Sequence, residues 1–228
     1  MKNDEFDGES RRDFLMRGLS LMAFSAFAAS CQAQTRPQTA TAAKPMRRVG
    51  APCEGCEAIY EGIPGNLNWQ TAISNSKEPG EPMEISGVIY KLDGKTPAPD
   101  VILYVYHTDA KGDYSPASGA TGMARRHGHL RVWMKTNAKG EYRFTSIRPA
   151  SYPNSNNPAH IHPILKEPDT NEYWIDEYIF EDDKFVTEAH RAQLRNYGGS
   201  GVTRLTKQNG IWTGKRNITL GLNVPNYK

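Results

Sequence analysis

Two histidines stand one residue apart in Pro158-Ala159-His160-Ile161-His162-Pro163. On a strand, residues i and i+2 share a face, so both imidazoles would point into one space. Side by side they repel when protonated and pair well with a metal ion. Two surface or hydrogen-bonded histidines would give the same pattern, and the pair alone leaves both readings open. A second pair, His127 and His129, has Gly128 between its members. It reads as a loop, substrate-facing or solvated, rather than as a second metal site. His107 at a strand end and His190 in a short helix read as structural or exposed. The acidic run Glu181-Asp182-Asp183 reads as a charged turn ending an edge strand rather than as a calcium loop.

Three cysteines are present, at 31, 53 and 56. Cys53 and Cys56 form a CxxC, which suits a metal, redox chemistry or a tight disulfide. A structural zinc site normally needs four ligands, and no second CxxC exists. No βαβ pattern surrounds the pair, which weakens a thioredoxin-like reading. In an oxidising compartment the default is a local disulfide.

The elements that must carry these groups are short strands. Val101–Tyr106 is the most apolar run and reads as a central strand buried on two sides. Runs at 85–90, 130–135 and 141–145 are β-rich, the last two alternating, with a hairpin-like turn at Asn137-Ala138-Lys139-Gly140 between them. Further strands are expected at 159–165, 173–180, 201–205 and 216–222. The fair helix candidate is Thr187–Arg195, capped by Thr187 and ended by Tyr197-Gly198-Gly199. Strands separated by turns, with few short helices, predict an all-β, antiparallel β-sandwich.

The chain has 228 residues, 38% hydrophobic and 23% charged, which excludes a wholly disordered protein. Its net charge of +3 is too small to argue for nucleic acid. Residues 1–30 read as a signal peptide: Arg11-Arg12 precede Phe14-Leu15 and a short apolar stretch to Ala29. That stretch is too short to span a bilayer, and the paired arginines resemble the twin-arginine export signal. Ala28-Ala29-Ser30-Cys31 resembles a lipoprotein cleavage box, which would make the membrane a partner only through a lipid anchor on Cys31; the other reading is a plain exported protein. The chain is thus expected to cross the inner membrane, as a periplasmic protein or a membrane-anchored lipoprotein. Polar residues 31–50 read as a flexible tether, 51–83 as an N-terminal extension with the CxxC, and 84–228 as the sandwich.

Three blocks then line up in order: Asp109-Ala110-Lys111-Gly112-Asp113-Tyr114, Gly140–Pro153 with its Ile147-Arg148-Pro149 and Tyr152-Pro153, and Pro158–His162. In this order they resemble the intradiol ring-cleavage dioxygenases, the family of protocatechuate and catechol dioxygenases. The resemblance covers roughly 84–222. It implies a mononuclear ferric site, Fe(3+), with Tyr114, Tyr152, His160 and His162 as ligands. It also implies a catechol-like substrate and O2, cleavage between the two hydroxylated carbons, and a muconate-type product. Tyr114 would stay bound while Tyr152 serves as ligand and base. The chemistry is coherent: ferric iron is a hard ion, tyrosinate is a hard anionic donor, and two phenolates offset two of its three charges. The metal must also depress the phenol pKa, since tyrosine near 10 stays protonated at neutral pH.

One position departs from the family pattern. The arginine expected three residues before the first histidine is Asn157 here. Asn157 is therefore the second candidate catalytic residue beside Tyr152, able to hydrogen-bond but carrying no charge; Arg148 and Arg131 are the candidates to replace that charge. Two other readings stay open. One is a non-catalytic exported binding module, like carboxypeptidase-regulatory or transthyretin-like domains. The other is a protein that binds iron and catechol without turnover. Homo-oligomerisation is open as well.

Overall fold

The computed structural model describes residues 45–228 apart from residue 76. The signal assigned to 1–30, Cys31 and most of the 31–50 tether lie outside the described residues. No described helix is long and apolar enough to cross a membrane.

The described chain is an all-β sandwich. One sheet holds β1 (Gln70–Ala72), β5 (Glu141–Ile147), β2 (Pro82–Tyr90), β11 (Ile211–Lys215) and β10 (Leu205–Gln208) in that order, with β12 (Ile218–Thr219) also on β2. The other orders β4 (Arg131–Lys135), β3 (Ile102–His107), β6 (His160–Lys166), β8 (Tyr178–Phe180) and β9 (Val202–Thr203), with β7 (Glu172–Trp174) on β6. Most pairings are antiparallel, as expected, but β1 with β5, β11 and β12 with β2, and β8 with β9 run parallel.

Alternation explains the layers. In β2 every second residue is buried, and Met83, Ile85 and Ile89 enter the main core with Phe144 from β5. From the facing sheet come Leu103, Val105, Ile161 and Leu165. The other face of β3 and β6 carries Tyr104, Tyr106, His160, His162 and Ile164. That outer face is covered by the extension: Cys56, Ala58 and Ile59 pack on Tyr104, Trp133 and Ile164. The Trp133 indole N–H donates to the Ile59 carbonyl at 2.6 Å. Residues 51–83 thus belong to the same compact unit as the sandwich. The end of the tether is docked too. Val49 is buried, and the Arg47 guanidinium donates to the Tyr227 carbonyl at 2.9 Å.

Three expectations change. The turn at 137–140 forms, with Gly140 N–H donating to Asn137 O at 2.8 Å, but it is not a hairpin. β4 and β5 pair into opposite sheets, so the turn crosses between layers. The strand expected at 216–222 is only the short β12, and the hairpin lies earlier, β10–β11 around Asn209 and Gly210 with φ of 50° and 81°. The helix at 187–195 shrinks to α2 (Glu188–Arg191), where Thr187 Oγ1 accepts from His190 N–H at 3.2 Å. A second helix, α1 (Gly122–Arg126), and a 3₁₀ turn at Cys56–Tyr60 complete the helical content of the described residues.

His107 is structural, as expected. Its Nδ1–H donates to the Thr108 carbonyl and its Nε2 accepts from the Ser146 hydroxyl, each at 2.7 Å. Burial pushes it down to about 4, and burial also holds His127 at about 4. Unfolded, both titrate near 6.5, so the unfolded chain takes up protons that the folded one refuses. Stability is therefore expected to fall as pH drops from 6.5 to 4. His107 alone contributes about 3 kcal/mol of that loss. Thermal melts across this window should show the slope, and His107→Gln, which keeps both hydrogen bonds, should flatten it; equal slopes would refute the assignment.

Candidate metal centre

His160 and His162 open β6 on the outer face of its sheet. Their Nε2 atoms are 3.0 Å apart. Tyr152, on the loop between β5 and β6, brings its hydroxyl to 2.9 Å from His160 Nε2 and 3.5 Å from His162 Nε2. Tyr114, on the loop after β3, places its hydroxyl 2.9 Å from that of Tyr152. All four residues expected as ligands converge on one point. Among the described residues no group of three or more His, Cys, Asp or Glu side chains gathers, so this mixed imidazole–phenol set stands apart.

The loops that carry the tyrosines are locked by the motifs themselves. Asp109 Oδ1 accepts from the backbone N–H of Lys111 at 2.8 Å and of Asp113 at 3.1 Å. Its Oδ2 accepts from the Ser115 hydroxyl at 2.8 Å. This side-chain turn bends the chain so that Tyr114 faces inward. The Thr108 hydroxyl donates to Ala150 O at 2.7 Å, and Ala150 N–H donates to Asp109 O at 3.2 Å, tying that loop to the one bearing Tyr152.

The surrounding groups orient the imidazoles. His160 Nδ1 lies 2.7 Å from the Pro158 carbonyl. A carbonyl only accepts, so Nδ1 carries the proton and Nε2 presents a lone pair to the cluster. His162 Nδ1 faces the Glu177 carboxylate at 3.6 Å, which favours the same tautomer. Tyr106 lies between imidazoles, with ring centroids 3.6 Å from His127 and 4.6 Å from His162. The spacing of residues gives no hint of Glu177. Tyr106 shares its face of β3 with Tyr104 and lies opposite His162 in the β3–β6 register.

Electrostatics keep Tyr114, Tyr152 and His162 neutral in the absence of a cation. Burial raises Tyr114 far above the usual phenol value, helped by its hydrogen bond to Tyr152, and burial raises Tyr152 as well. Burial, then the neighbouring imidazoles, push His162 well below its usual value. Two phenolic protons must serve two phenol oxygens and two imidazole lone pairs, so one lone pair is left facing another across 3.0 Å. A cation bound by both nitrogens and by ionised phenols resolves that conflict. The donor set, two hard oxygens and two imidazoles, fits a hard ferric ion.

The second histidine pair diverges. His127 Nδ1 meets the Tyr104 hydroxyl at 3.0 Å, while His129 Nε2 meets Glu78 at 3.1 Å. They share no point that a metal could occupy. Arg148 forms a two-pronged pair with Asp182 at 2.9 and 2.8 Å, and Arg131 lies over Trp133. Neither lines the two cavities beside the cluster, of about 290 and 280 Å³, which share His162 and Glu177. Asn157 is exposed and lines the second. Cys53 and Cys56 form a disulfide, and Cys53 lines the first.

The family model described as Dioxygenase matches residues 65–196, more than half of the chain. Among solved structures, the dioxygenase domain of a dioxygenase–carbohydrate-binding protein fusion from Streptomyces sp. SirexAA-E shares 20% identity. That match covers 69% of this chain and 91% of that one, with a TM-score of 0.53. Catechol 1,2-dioxygenase from Acinetobacter sp. ADP1 shares 18%, over 78% and 60% of the two chains, at 0.52. 3-Chlorocatechol 1,2-dioxygenase from Rhodococcus opacus 1CP shares 18%, over 69% and 67%, at 0.51. At these identities the likeness is one of fold, and the chain spans only 60% of the Acinetobacter enzyme's length. No curated protein matches the chain.

Proposed function

The chain belongs to the intradiol ring-cleavage dioxygenase family, and from that premise we propose that it opens catechol-like rings between the two hydroxylated carbons, using O2. The observation that carries the reading is the convergence of Tyr114, Tyr152, His160 and His162, each within hydrogen-bond distance of at least one other member. These four side chains would hold ferric iron, the metal that the resemblance implies. A ferric ion held there would supply Lewis-acid and redox activation of a catechol ring toward O2.

The residues divide the remaining work. His160 and His162 are fixed by Pro158 O and Glu177 and serve as neutral donors. Tyr114, the more strongly raised phenol, is clamped by the Asp109 turn and stays in place. Tyr152 lies between Tyr114 and His160, and its oxygen accepts the proton released as the substrate hydroxyl ionises. Asn157 offers amide hydrogen bonds to a ring in the adjoining cavity. In the overall reaction one ring carbon–carbon bond breaks, both atoms of O2 enter the product, and no external reductant is needed. The disulfide at Cys53–Cys56 supports export to an oxidising compartment.

Incubation of the iron-loaded protein with catechol under ¹⁸O2 tests the reading. The expected product is a muconate-type diacid carrying two labelled oxygens. Catechol bound but unchanged would leave an iron- and catechol-binding protein, consistent with the uncharged Asn157. Formation of quinone without label in the product would contradict ring cleavage.

A further inference from the structure

The two cavities that meet at His162 share one ionisable wall residue besides it, Glu177. Its carboxylate faces His162 Nδ1 at 3.6 Å, and its side chain is 40% exposed, so it also looks onto open space. Among the described residues no lysine or arginine lines either cavity. Two arginines border the walls, and both are engaged. Arg126 donates to Glu54 at 2.7 Å, and Arg195 lies over the rings of Trp174 and Tyr197 at 5.5 and 5.7 Å. In the second cavity the polar groups other than Glu177 and the cluster's Tyr152, His160 and His162 are Asn157 and His190, whose buried Nδ1 has no hydrogen-bond partner. The space beside the cluster therefore offers a carboxylate and hydrogen-bonding groups, with no lysine or arginine in the described wall to meet an anion.

We propose that this site, read as a catechol site, selects catechols whose ring substituent is a cationic or neutral hydrogen-bond donor and rejects catechols bearing a carboxylate. The inference rests on the proposed function. Glu177 sets the sign of the selection. An ammonium or hydroxyl on the ring donates to its carboxylate, whereas a ring carboxylate meets like charge in a partly dehydrated wall. At an effective dielectric of about 20–40 and a separation of several ångströms, one such charge discriminates by about tenfold or more. Glu177 is thus a specificity-determining residue as well as the orienting partner of His162.

Anaerobic titration of the iron-loaded protein, following its visible band, measures binding without turnover. The ligands are dopamine, 4-methylcatechol and protocatechuate. Dopamine is expected to bind at least about tenfold more tightly than protocatechuate, with 4-methylcatechol between them. Glu177→Gln should bring the dopamine-to-protocatechuate ratio to within about threefold. Because it is a ratio within one variant, partial iron loading does not alter it. Asn157→Lys, a change at an exposed position, should move the ratio toward protocatechuate without touching His162. Equal binding of dopamine and protocatechuate by the unaltered protein would overturn the inference, as would a ratio unmoved by both substitutions. A band that none of the three ligands shifts would overturn the catechol reading itself, and the inference with it.

Discussion

His162→Ala and Tyr114→Phe are each expected to lower ferric iron affinity by more than about a hundredfold, since loss of an orienting partner alone costs metal sites up to about that much. The visible absorption of ferric phenolate should vanish with the metal. The reason is geometric. His162 supplies one of two Nε2 atoms lying 3.0 Å apart, and Tyr114 supplies the phenol most strongly held protonated by burial. Removing either leaves three donors where the mixed set of two phenols and two imidazoles fits a hard ferric ion. His127→Ala is the contrast. His127 stacks on Tyr106 at 3.6 Å, and Tyr106 in turn stacks on His162. Deleting it opens a hole and should cost about 2 kcal/mol of stability, yet the ligands stay and so should the metal. Metal analysis and absorption of the three purified variants check the expectation. Equal metal loss in His127→Ala would mean that the site is centred elsewhere.

Gly112→Ala is expected to cost about 3 kcal/mol or more and to empty the same site without touching a ligand. Gly112 has φ +88°, where a side chain is strained. An added Cβ would lie 2.1 Å from the Ser151 carbonyl oxygen and 3.0 Å from its carbon, backbone atoms with nowhere to go. The only relief is to separate the loop carrying Tyr114 from the loop carrying Tyr152, whose hydroxyls now lie 2.9 Å apart. Gly119→Ala isolates the conformational part: φ is +75° there, but nothing lies within 4 Å, so about 1 kcal/mol is expected and the metal should remain. Melting temperature and metal content of the two variants distinguish these outcomes. A Gly112→Ala protein with full metal would show that the loop contact does not position the tyrosines.

How far the sequence discloses this site depends on the range of the forces involved. The turn at 109–114 is local: an aspartate accepting from its own following amides, with a glycine at the tight approach, is written in consecutive residues. So is the placement of His160 and His162 on one face of a strand. β3 was legible as a central strand because both its faces are covered, one by the core and one by the extension. The contribution of Glu177 was not legible, since it reaches His162 only through the pairing of β8 with β6. Nor was the divergence of His127 and His129, which depends on where Tyr104 and Glu78 lie. The crossing of 137–140 between sheets was misread for a related reason. Turn chemistry fixes the local bend, but pairing partners decide whether the strands leave together. The β10–β11 hairpin carries its signal in Asn209-Gly210, a turn between two short, exposed or half-buried strands that lack an apolar run.

In the proposed function these four side chains would hold ferric iron, and a catechol ring bound beside them would be opened. The most direct test is the visible spectrum and iron content of the purified protein, recorded before and after adding catechol in air. The account predicts near-stoichiometric iron, a visible phenolate-to-iron band that shifts on catechol addition, and growth of a muconate absorbance as the shifted band decays. A colourless protein without iron, purified from iron-replete cells and giving no band on loading with ferric salt, would contradict it.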